Sequence, residues 1–173
     1  MTITEDARKA TVPPRESWPE PPPQTEAGAL LTEIILSTFR LNARLLEAAQ
    51  ELAANGGITA AWWQVLGGVL DQPRTVAAIG RRMGMTRQGV QRVADLLVAN
   101  HLAEYRPNPA HRRAKLLACT EAGYWAIRQI SFAAHPFANR IGAQVANEEL
   151  RNTLTTMRHL VAVLEADQPT PAE

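Results

Sequence analysis

Positively charged side chains are concentrated in one stretch of this 173-residue sequence. Between Arg74 and Lys115 there are nine Lys and Arg residues and two acids, Asp95 and Glu104, which gives the stretch a net charge of +7. The rest of the chain has nine basic and fifteen acidic residues, so the whole molecule is close to neutral at +1. Such an asymmetry within one small domain favours a face that binds a polyanion over a solvated basic surface.

Two short helices joined by a tight turn are predicted inside this stretch. Thr75 can cap a helix over VAAIGRRM, Gly84 can end it in the left-handed conformation, and Thr86 can cap a helix over RQGVQRVADLLVAN. Small Gly80, the turn glycine and an inward-facing Val90 have the spacing of a helix-turn-helix. The other face of the second helix carries groups that suit the bases and phosphates of a major groove, namely Thr86, Arg87, Gln88, Gln91 and Arg92.

A β-hairpin is predicted directly after the second helix, where HLAEYR and AKLLACT flank a polar loop. A hairpin in that place is the wing of a winged helix, and its tip lies against the DNA backbone or the neighbouring minor groove. The negative potential of a narrow A·T-rich minor groove favours an inserted guanidinium. We predict that Arg113 enters the minor groove and that Arg112 contacts the DNA backbone. The full set of expected wing contacts is Arg106, Arg112, Arg113 and Lys115.

Long helices are predicted on both sides of this DNA-binding lobe. Residues 1–24 are rich in proline and are expected to form an extended or disordered arm. Apolar residues then recur at helical spacing up to Asn55, in a helix so long that part of it is expected to meet a second subunit. A helix capped by Thr120 is expected to be kinked or ended by Pro136, and Asn147 is expected to cap the last helix.

The sequence thus predicts a mainly α chain, a winged helix-turn-helix with a small β-hairpin wing and long N- and C-terminal helices. The domain spans 25–168, with the DNA-binding lobe at about 59–120, the long helices at about 25–54 and 121–166, and a tail at 169–173. No apolar run approaches the roughly 20 residues that cross a bilayer, and no leader opens the chain, so a cytoplasmic location is expected.

The stretch from TVAAIGRRMGMTRQGVQRV through the wing to LLACTEAG resembles the winged helix-turn-helix of the MarR (multiple-antibiotic-resistance regulator) family, over residues 59 to about 130. In that family the wing commonly has the pattern Asp-Pro-x-Asp-x-Arg, and the strand after it ends in Leu-Thr-x-x-Gly. The resemblance implies a homodimeric transcription regulator, often a repressor, that binds a pseudo-palindromic operator in double-stranded DNA. It implies that the long helices at about 25–54 and 121–166 are N- and C-terminal dimerisation helices. It also implies release by a small, frequently aromatic, ligand. The family's recognition-helix contacts fall on Thr86, Arg87, Gln88, Gln91 and Arg92, and its wing arginine falls on Arg113.

The chain departs from the family pattern at four positions. Asn108 and His111 replace the two acidic residues of the wing, Cys119 replaces a leucine, and His101 stands where the family mostly has glycine. Without a carboxylate at position 111, Arg113 lacks a partner that could orient it. We expect a less preorganised wing whose affinity for DNA rises below about pH 6.5, where an ordinary imidazole gains a proton. An exposed His111 without a role fits the sequence equally well.

The remaining reactive residues indicate neither a catalytic nor a metal site. The four histidines are dispersed, the single cysteine forms no zinc cluster, and there is no nucleophile–base pair or phosphate loop, so neither an enzyme nor a cofactor is expected. Trp62 and Trp63 open a helix near the expected effector cavity and are candidates for its lining, with core packing the favoured role for Trp63. The alternative function is a winged-helix protein-interaction module that binds no specific DNA.

Overall fold

The computed structural model describes residues 13–111 and 113–167. Its elements follow the predicted order, with one short strand added before the third helix. The helices are α1 (Glu26–Ala53), α2 (Ala60–Gly67), α3 (Val76–Met83), α4 (Arg87–Ala99), α5 (Glu121–Gly142) and α6 (Asn147–Asp167); the strands are β1 (Arg74–Thr75), β2 (Ala103–Arg106) and β3 (Leu116–Cys119). The prediction of a mainly α chain with a small β-hairpin is confirmed.

By packing, the chain divides within α1 into two units, residues up to 43 and residues from 44 onward. In the first unit, the proline-rich arm contains a 3₁₀ turn at Arg15–Ser17. The indole Nε1 of Trp18 donates to the carbonyl of Pro13 at 2.8 Å and so fastens this turn. The expectation of a purely extended or disordered arm is therefore wrong for this turn, while residues 1–12 lie outside the described part. Thr25 Oγ1 then accepts from the Gly28 N–H at 3.1 Å and caps α1.

The second unit has a hydrophobic core to which most of its elements contribute. Leu66, Ile79, Leu97, Leu117 and Ile130 are fully buried, and they come from α2, α3, α4, β3 and α5 respectively. Because one apolar cluster joins all five elements, the position of α4 relative to the sheet is fixed by packing. Truncating any of these side chains to alanine would cost roughly 2–5 kcal/mol.

Local side-chain chemistry sets the helix starts in this unit. Thr59, Thr75, Thr86 and Thr120 each precede a helix, and each hydroxyl oxygen accepts a hydrogen bond from the backbone N–H three residues later, at 3.0–3.3 Å. Gly84 ends α3 at φ +64°, in the predicted left-handed conformation. The predicted pair of helices with a tight turn between them is confirmed.

The sheet is antiparallel with strand order β1-β3-β2, so β3 lies in the middle. The register pairs Ala103 with Cys119 at one end of the hairpin and Arg106 with Leu116 at the other. Both hairpin strands are thus confirmed within the predicted segments. The strand β1 was not predicted, because two residues carry no periodicity that could indicate it.

Two helix boundaries differ from the prediction. Pro136 does not end α5, which continues to Gly142. Asn147 is the first residue of α6 rather than its cap, since the helix is closed at its start by the Glu149 side chain, which accepts from the Ala146 N–H at 3.2 Å. Both corrections concern the long helices and leave the elements between residues 59 and 120 unchanged.

Candidate nucleic-acid interface

The face of α4 that was predicted to meet DNA is exposed. The opposite face buries Val90, Val93, Ala94 and Leu97, at the 3- and 4-residue spacing of an amphipathic helix. The exposed residues are Thr86, Arg87, Gln88, Gln91 and Arg92. The Thr86 hydroxyl oxygen caps the helix, but its hydrogen remains available to donate to a phosphate, as do the unpaired N–H groups of the first turn.

The tip of the wing is organised by Asn108. Its Oδ1 accepts from the Ala110 N–H at 3.0 Å, and its carbonyl accepts from the His111 N–H at 3.2 Å. The Ala114 N–H donates to the His111 carbonyl at 3.2 Å and continues the turn. The Asn108 amide therefore provides the local acceptor that a carboxylate provides at a turn of this kind. Arg112, one of the predicted wing contacts, lies outside the described residues.

A cleft of about 530 Å³ lies between α4 and the wing. Arg87 and Gln91 line it from α4, and His111, Arg113 and Lys115 line it from the hairpin. The described residues around this cleft include three full positive charges and no acid. Charges of one sign around a concave surface raise the local concentration of counter-ions, and here those would be anionic.

Two basic residues of the same stretch, neither of which lines the cleft, are paired with acids. Arg106, a predicted wing contact, lies 2.6 Å from the Glu104 carboxylate, on the face of β2 opposite Tyr105, because neighbouring strand residues alternate between faces. Arg74 is held by Asp71 through hydrogen bonds of 2.5 and 2.6 Å, and this pairing holds the pKa of the Asp71 carboxyl well below its usual range. Both charges are largely neutralised by neighbours.

A hydrogen-bonded triangle joins α4 to the wing. Gln91 Nε2 donates to Asp95 Oδ1 at 2.9 Å and to the Tyr105 hydroxyl at 2.8 Å, and that hydroxyl donates to Asp95 Oδ1 at 2.8 Å. Sequence reasoning missed Asp95 and Tyr105. The four-residue spacing of Gln91 and Asp95 on one helix was a signal for the hydrogen bond between these two residues. Tyr105 reaches it only through the packing of β2 on α4, for which the sequence has no local signal.

Comparison with known proteins agrees with this geometry. The MarR family model matches residues 56–114, which include α2, α3, α4, β2 and the tip of the wing. An uncharacterised protein of Mycobacterium tuberculosis, Rv2011c, is 38% identical over 139 residues, which make up 80% of this chain and 97% of that protein. The chain belongs to the MarR family. Members of this family are DNA-binding transcription regulators rather than enzymes, so the expectation of a non-enzymatic protein is confirmed.

Solved MarR family structures share the fold of this chain. CouR from Rhodococcus jostii RHA1 bound to p-coumaroyl-CoA superposes with a TM-score of 0.67 at 19% identity, covering 81% of this chain and 95% of that one. Staphylococcus aureus MarR in complex with salicylate and kanamycin gives a TM-score of 0.67 at 17% identity, with the same coverage. At these identities the likeness concerns the fold, and the predicted winged helix-turn-helix is confirmed.

In this MarR family member, Trp62 and Trp63 are both half-buried and pack against the core. Core packing, the favoured role for Trp63, is confirmed and is shared by Trp62, and neither indole lines the cleft beside α4. Their part in a ligand pocket stays a prediction. A separate cleft of about 390 Å³ lies elsewhere in this unit, between the end of α1 and α5, with Leu52, Phe137 and Arg140 in its wall.

The buried Cys119 has the environment of an unreactive thiol. Burial, with a smaller effect from the charge of Glu121, raises its pKa to about 11, so little thiolate is present at neutral pH. Over residues 13–111 and 113–167, no three His, Cys, Asp or Glu side chains are grouped in a way that could hold a metal ion. In the same part of the chain, no helix is both long and apolar enough to cross a membrane.

Proposed function

We propose that this MarR family regulator is a homodimeric repressor that reads a pseudo-palindromic operator with α4 and the wing. The observation that supports it best is the acid-free cleft between Arg87 on α4 and Arg113 and Lys115 on the wing. In this proposal the N-terminal half of α4 enters the major groove, with Arg87 and Gln91 at base edges and Gln88 and the Thr86 hydroxyl toward the backbone. Arg92 follows along the same exposed face and contacts phosphate.

Arg113 is proposed as the wing contact in the flanking minor groove, and Lys115 as a phosphate contact. The Lys115 ammonium lies 5.9 Å from the centre of the Tyr105 ring, which holds it beside the cleft. Arg112 is proposed as a contact to the DNA backbone, and this proposal rests on the sequence alone. Arg106 is the weakest member of the predicted set, because a phosphate would have to compete with Glu104 for its guanidinium.

The dimer is proposed from apolar side chains that are exposed in the described parts of the chain. In α6, exposed side chains recur every three or four residues and form one stripe: Leu150, Leu154, Met157, Val161 and Leu164. The first part of α1 is likewise exposed at Leu30, Ile34 and Phe39. An apolar stripe of this length on a helix is usually covered by another helix. Two copies would then present two α4 helices to half-sites about one helical turn apart.

The effector is proposed to be a small aromatic compound that carries a carboxylate. CouR and S. aureus MarR are described with p-coumaroyl-CoA and salicylate, both of which contain an aromatic ring. In this chain, the Arg140 guanidinium lies 5.7 Å from the centre of the Phe137 ring, in the wall of the 390 Å³ cleft. That pair offers a cation for a carboxylate and an apolar face for a ring, and Glu51 in the same wall offers an acceptor for a phenolic hydroxyl. Trp62 and Trp63 remain candidates for a pocket nearer the core. A repressor of chromosomal genes would act in the cytoplasm.

Selection of bound sequences from random double-stranded DNA by the purified full chain tests this function. We expect a pseudo-palindromic site, and an affinity that falls steeply with salt, by about 0.9 log units per contacted phosphate for each tenfold rise in salt. The wing supplies a matched pair of variants. Arg113→Ala should weaken binding most on A·T-rich flanks, whereas Arg106→Ala should have a smaller effect. Binding without sequence preference and with little salt dependence would instead support the protein-interaction module.

A further inference from the structure

The Gln91 amide cannot present both of its ends to DNA equally, because the triangle with Asp95 and Tyr105 holds one of them. The Asp95 carboxylate can only accept hydrogen bonds, so the atom of Gln91 that faces it must be the nitrogen. The Tyr105 hydroxyl donates to Asp95, and its oxygen is therefore free to accept from Gln91. The orientation of the amide follows from this bonding pattern.

Tyr105 is well suited to holding this arrangement. Burial and the hydrogen bond to Asp95 raise its pKa to about 12, so the hydroxyl keeps its proton throughout the physiological range. The ring is half-buried against the core, and Lys115 lies over its face. Packing therefore fixes the ring, and the ring fixes the amide.

The carbonyl oxygen of the Gln91 side chain takes no part in the triangle. An amide is planar, so turning Nε2 toward Asp95 and Tyr105 turns Oε1 away from them. Gln91 is exposed and lines both the cleft beside the wing and the groove along α4 that includes Gln88 and Arg92. A base edge that meets this side chain would thus first meet an acceptor.

We infer that Gln91 reads its base through Oε1 alone, with Asp95 and Tyr105 as positioning residues. The inference rests on the proposed role of α4 in the major groove. There, an acceptor can bond to the exocyclic amine of adenine (N6) or cytosine (N4), but not to guanine or thymine, which display O6, N7 and O4 acceptors. The familiar two-bond pairing of glutamine with adenine also needs Nε2 to donate to N7. In this protein that donor is already engaged by Asp95 and Tyr105.

The test begins with random-sequence selection by the wild-type full chain and by Gln91→Ala. The operator position whose base preference is lost in Gln91→Ala is the one that Gln91 contacts. There we expect wild type to accept adenine and cytosine on the contacted strand and to bind guanine or thymine roughly 5- to 100-fold more weakly. Replacing adenine by 7-deazaadenine, which lacks N7, should leave wild-type affinity unchanged. Replacing adenine by a purine that lacks the N6 amine should weaken wild-type binding only when the replacement is made on the contacted strand. This loss of affinity identifies that strand.

Three variants separate positioning from general structure. Tyr105→Phe keeps the ring and removes the hydroxyl, Asp95→Ala removes the acceptor, and Asp95→Asn retains a carbonyl acceptor in its place. In the first two, the released amide should tolerate guanine and thymine better and become sensitive to 7-deazaadenine. In Asp95→Asn the wild-type profile should be largely restored. Unchanged preferences at the other operator positions show that each variant is folded and docked normally.

The outcomes distinguish this inference from the function on which it rests. If wild type selects no sequence, the proposed function fails and the inference fails with it. If wild type selects an operator but depends on N7 at the Gln91 position, prefers guanine or thymine there, or shows no position that depends on Gln91, only the inference is overturned. The same holds if Tyr105→Phe and Asp95→Ala both keep the wild-type base profile.

Discussion

At the scale of single residues, His101 shows how one backbone angle can be tolerated by a residue that is not ideal for it. It joins α4 to β2 at φ +60°, the only positive φ of a non-glycine residue in the described parts of the chain. Its carbonyl accepts from Thr120 Oγ1 at 2.7 Å, and the next N–H, of Leu102, donates to the Leu97 carbonyl at 2.9 Å. These bonds hold the turn in a conformation that costs an L-residue roughly 1–2 kcal/mol.

Replacing His101 by glycine should therefore stabilise the protein. We expect His101→Gly to raise the free energy of unfolding by up to about 1 kcal/mol, since the relief of strain is partly offset by the greater freedom of glycine in the unfolded chain. The β-branched variant His101→Val should lower it by about 1–2 kcal/mol. Urea unfolding of wild type and the two variants, all at the same protein concentration, measures both changes. A glycine variant less stable than wild type would contradict this account.

At the scale of elements, the junction between the hairpin and α5 depends on the absence of a side chain. A Cβ at Gly123 would overlap the Leu102 carbonyl and would lie 2.7 Å from Cys119 Sγ. The Leu-Thr-x-x-Gly pattern of the family is thus explained here by packing: Thr120 caps α5, and Gly123 lets its first turn lie against the end of the hairpin. This junction sets where the wing emerges relative to α4.

Gly123→Ala should accordingly destabilise the fold. The contact is with backbone, which cannot move aside as a flexible side chain can, so we expect a loss of roughly 1–3 kcal/mol in the free energy of unfolding. Gly67→Ala is the matched control, because a Cβ at that helical position meets nothing within 4 Å. It should be neutral or stabilising by about 0.5–1 kcal/mol. Equal free energies of unfolding for the two alanine variants in urea would show that the junction has room for a Cβ at Gly123.

The elements that the sequence predicted correctly are those with local signals. The caps at Thr75, Thr86 and Thr120 and the left-handed Gly84 are decided within four residues of chain, and all were predicted. The errors arose where tertiary structure outweighs a local rule. Pro136 removes one helical hydrogen bond, yet α5 continues past it, so the expectation that it ends the helix is wrong. The strand β1 exists only because β3 pairs with it.

At the scale of the whole molecule, the sequence predicted the basic face better than the geometry within it. Charge counting located the stretch, and helical periodicity separated its buried from its exposed side. Neither could show that Arg106 turns toward Glu104 or that Tyr105 reaches across to Gln91, because both depend on which face of β2 packs on α4. The direction of each side chain on a strand is set by register, and register is a property of the assembled sheet.

The exposed apolar stripe of α6 leads to the last prediction, which concerns assembly. Leu154 and Val161 lie in the stripe, with exposures of 48% and 55%, whereas Asn152 and His159 lie on the opposite side of the helix. Two glutamates in the stripe would place charges in a desolvated interface, and two on the opposite side would remain in water. Leu154→Glu with Val161→Glu should therefore give a monomer, and Asn152→Glu with His159→Glu a dimer.

Light scattering after size exclusion measures the two assemblies, and circular dichroism checks that the helices are retained. Because both double variants add two acidic residues, a difference between them reflects position rather than charge. The monomeric variant should bind the operator more weakly than the dimeric one. A monomer engages one half-site and loses the gain in affinity that comes from binding two half-sites at once. A wild-type protein that is monomeric at micromolar concentration would contradict the proposed dimer. A stripe variant that still dimerises would show that a different surface forms the dimer interface.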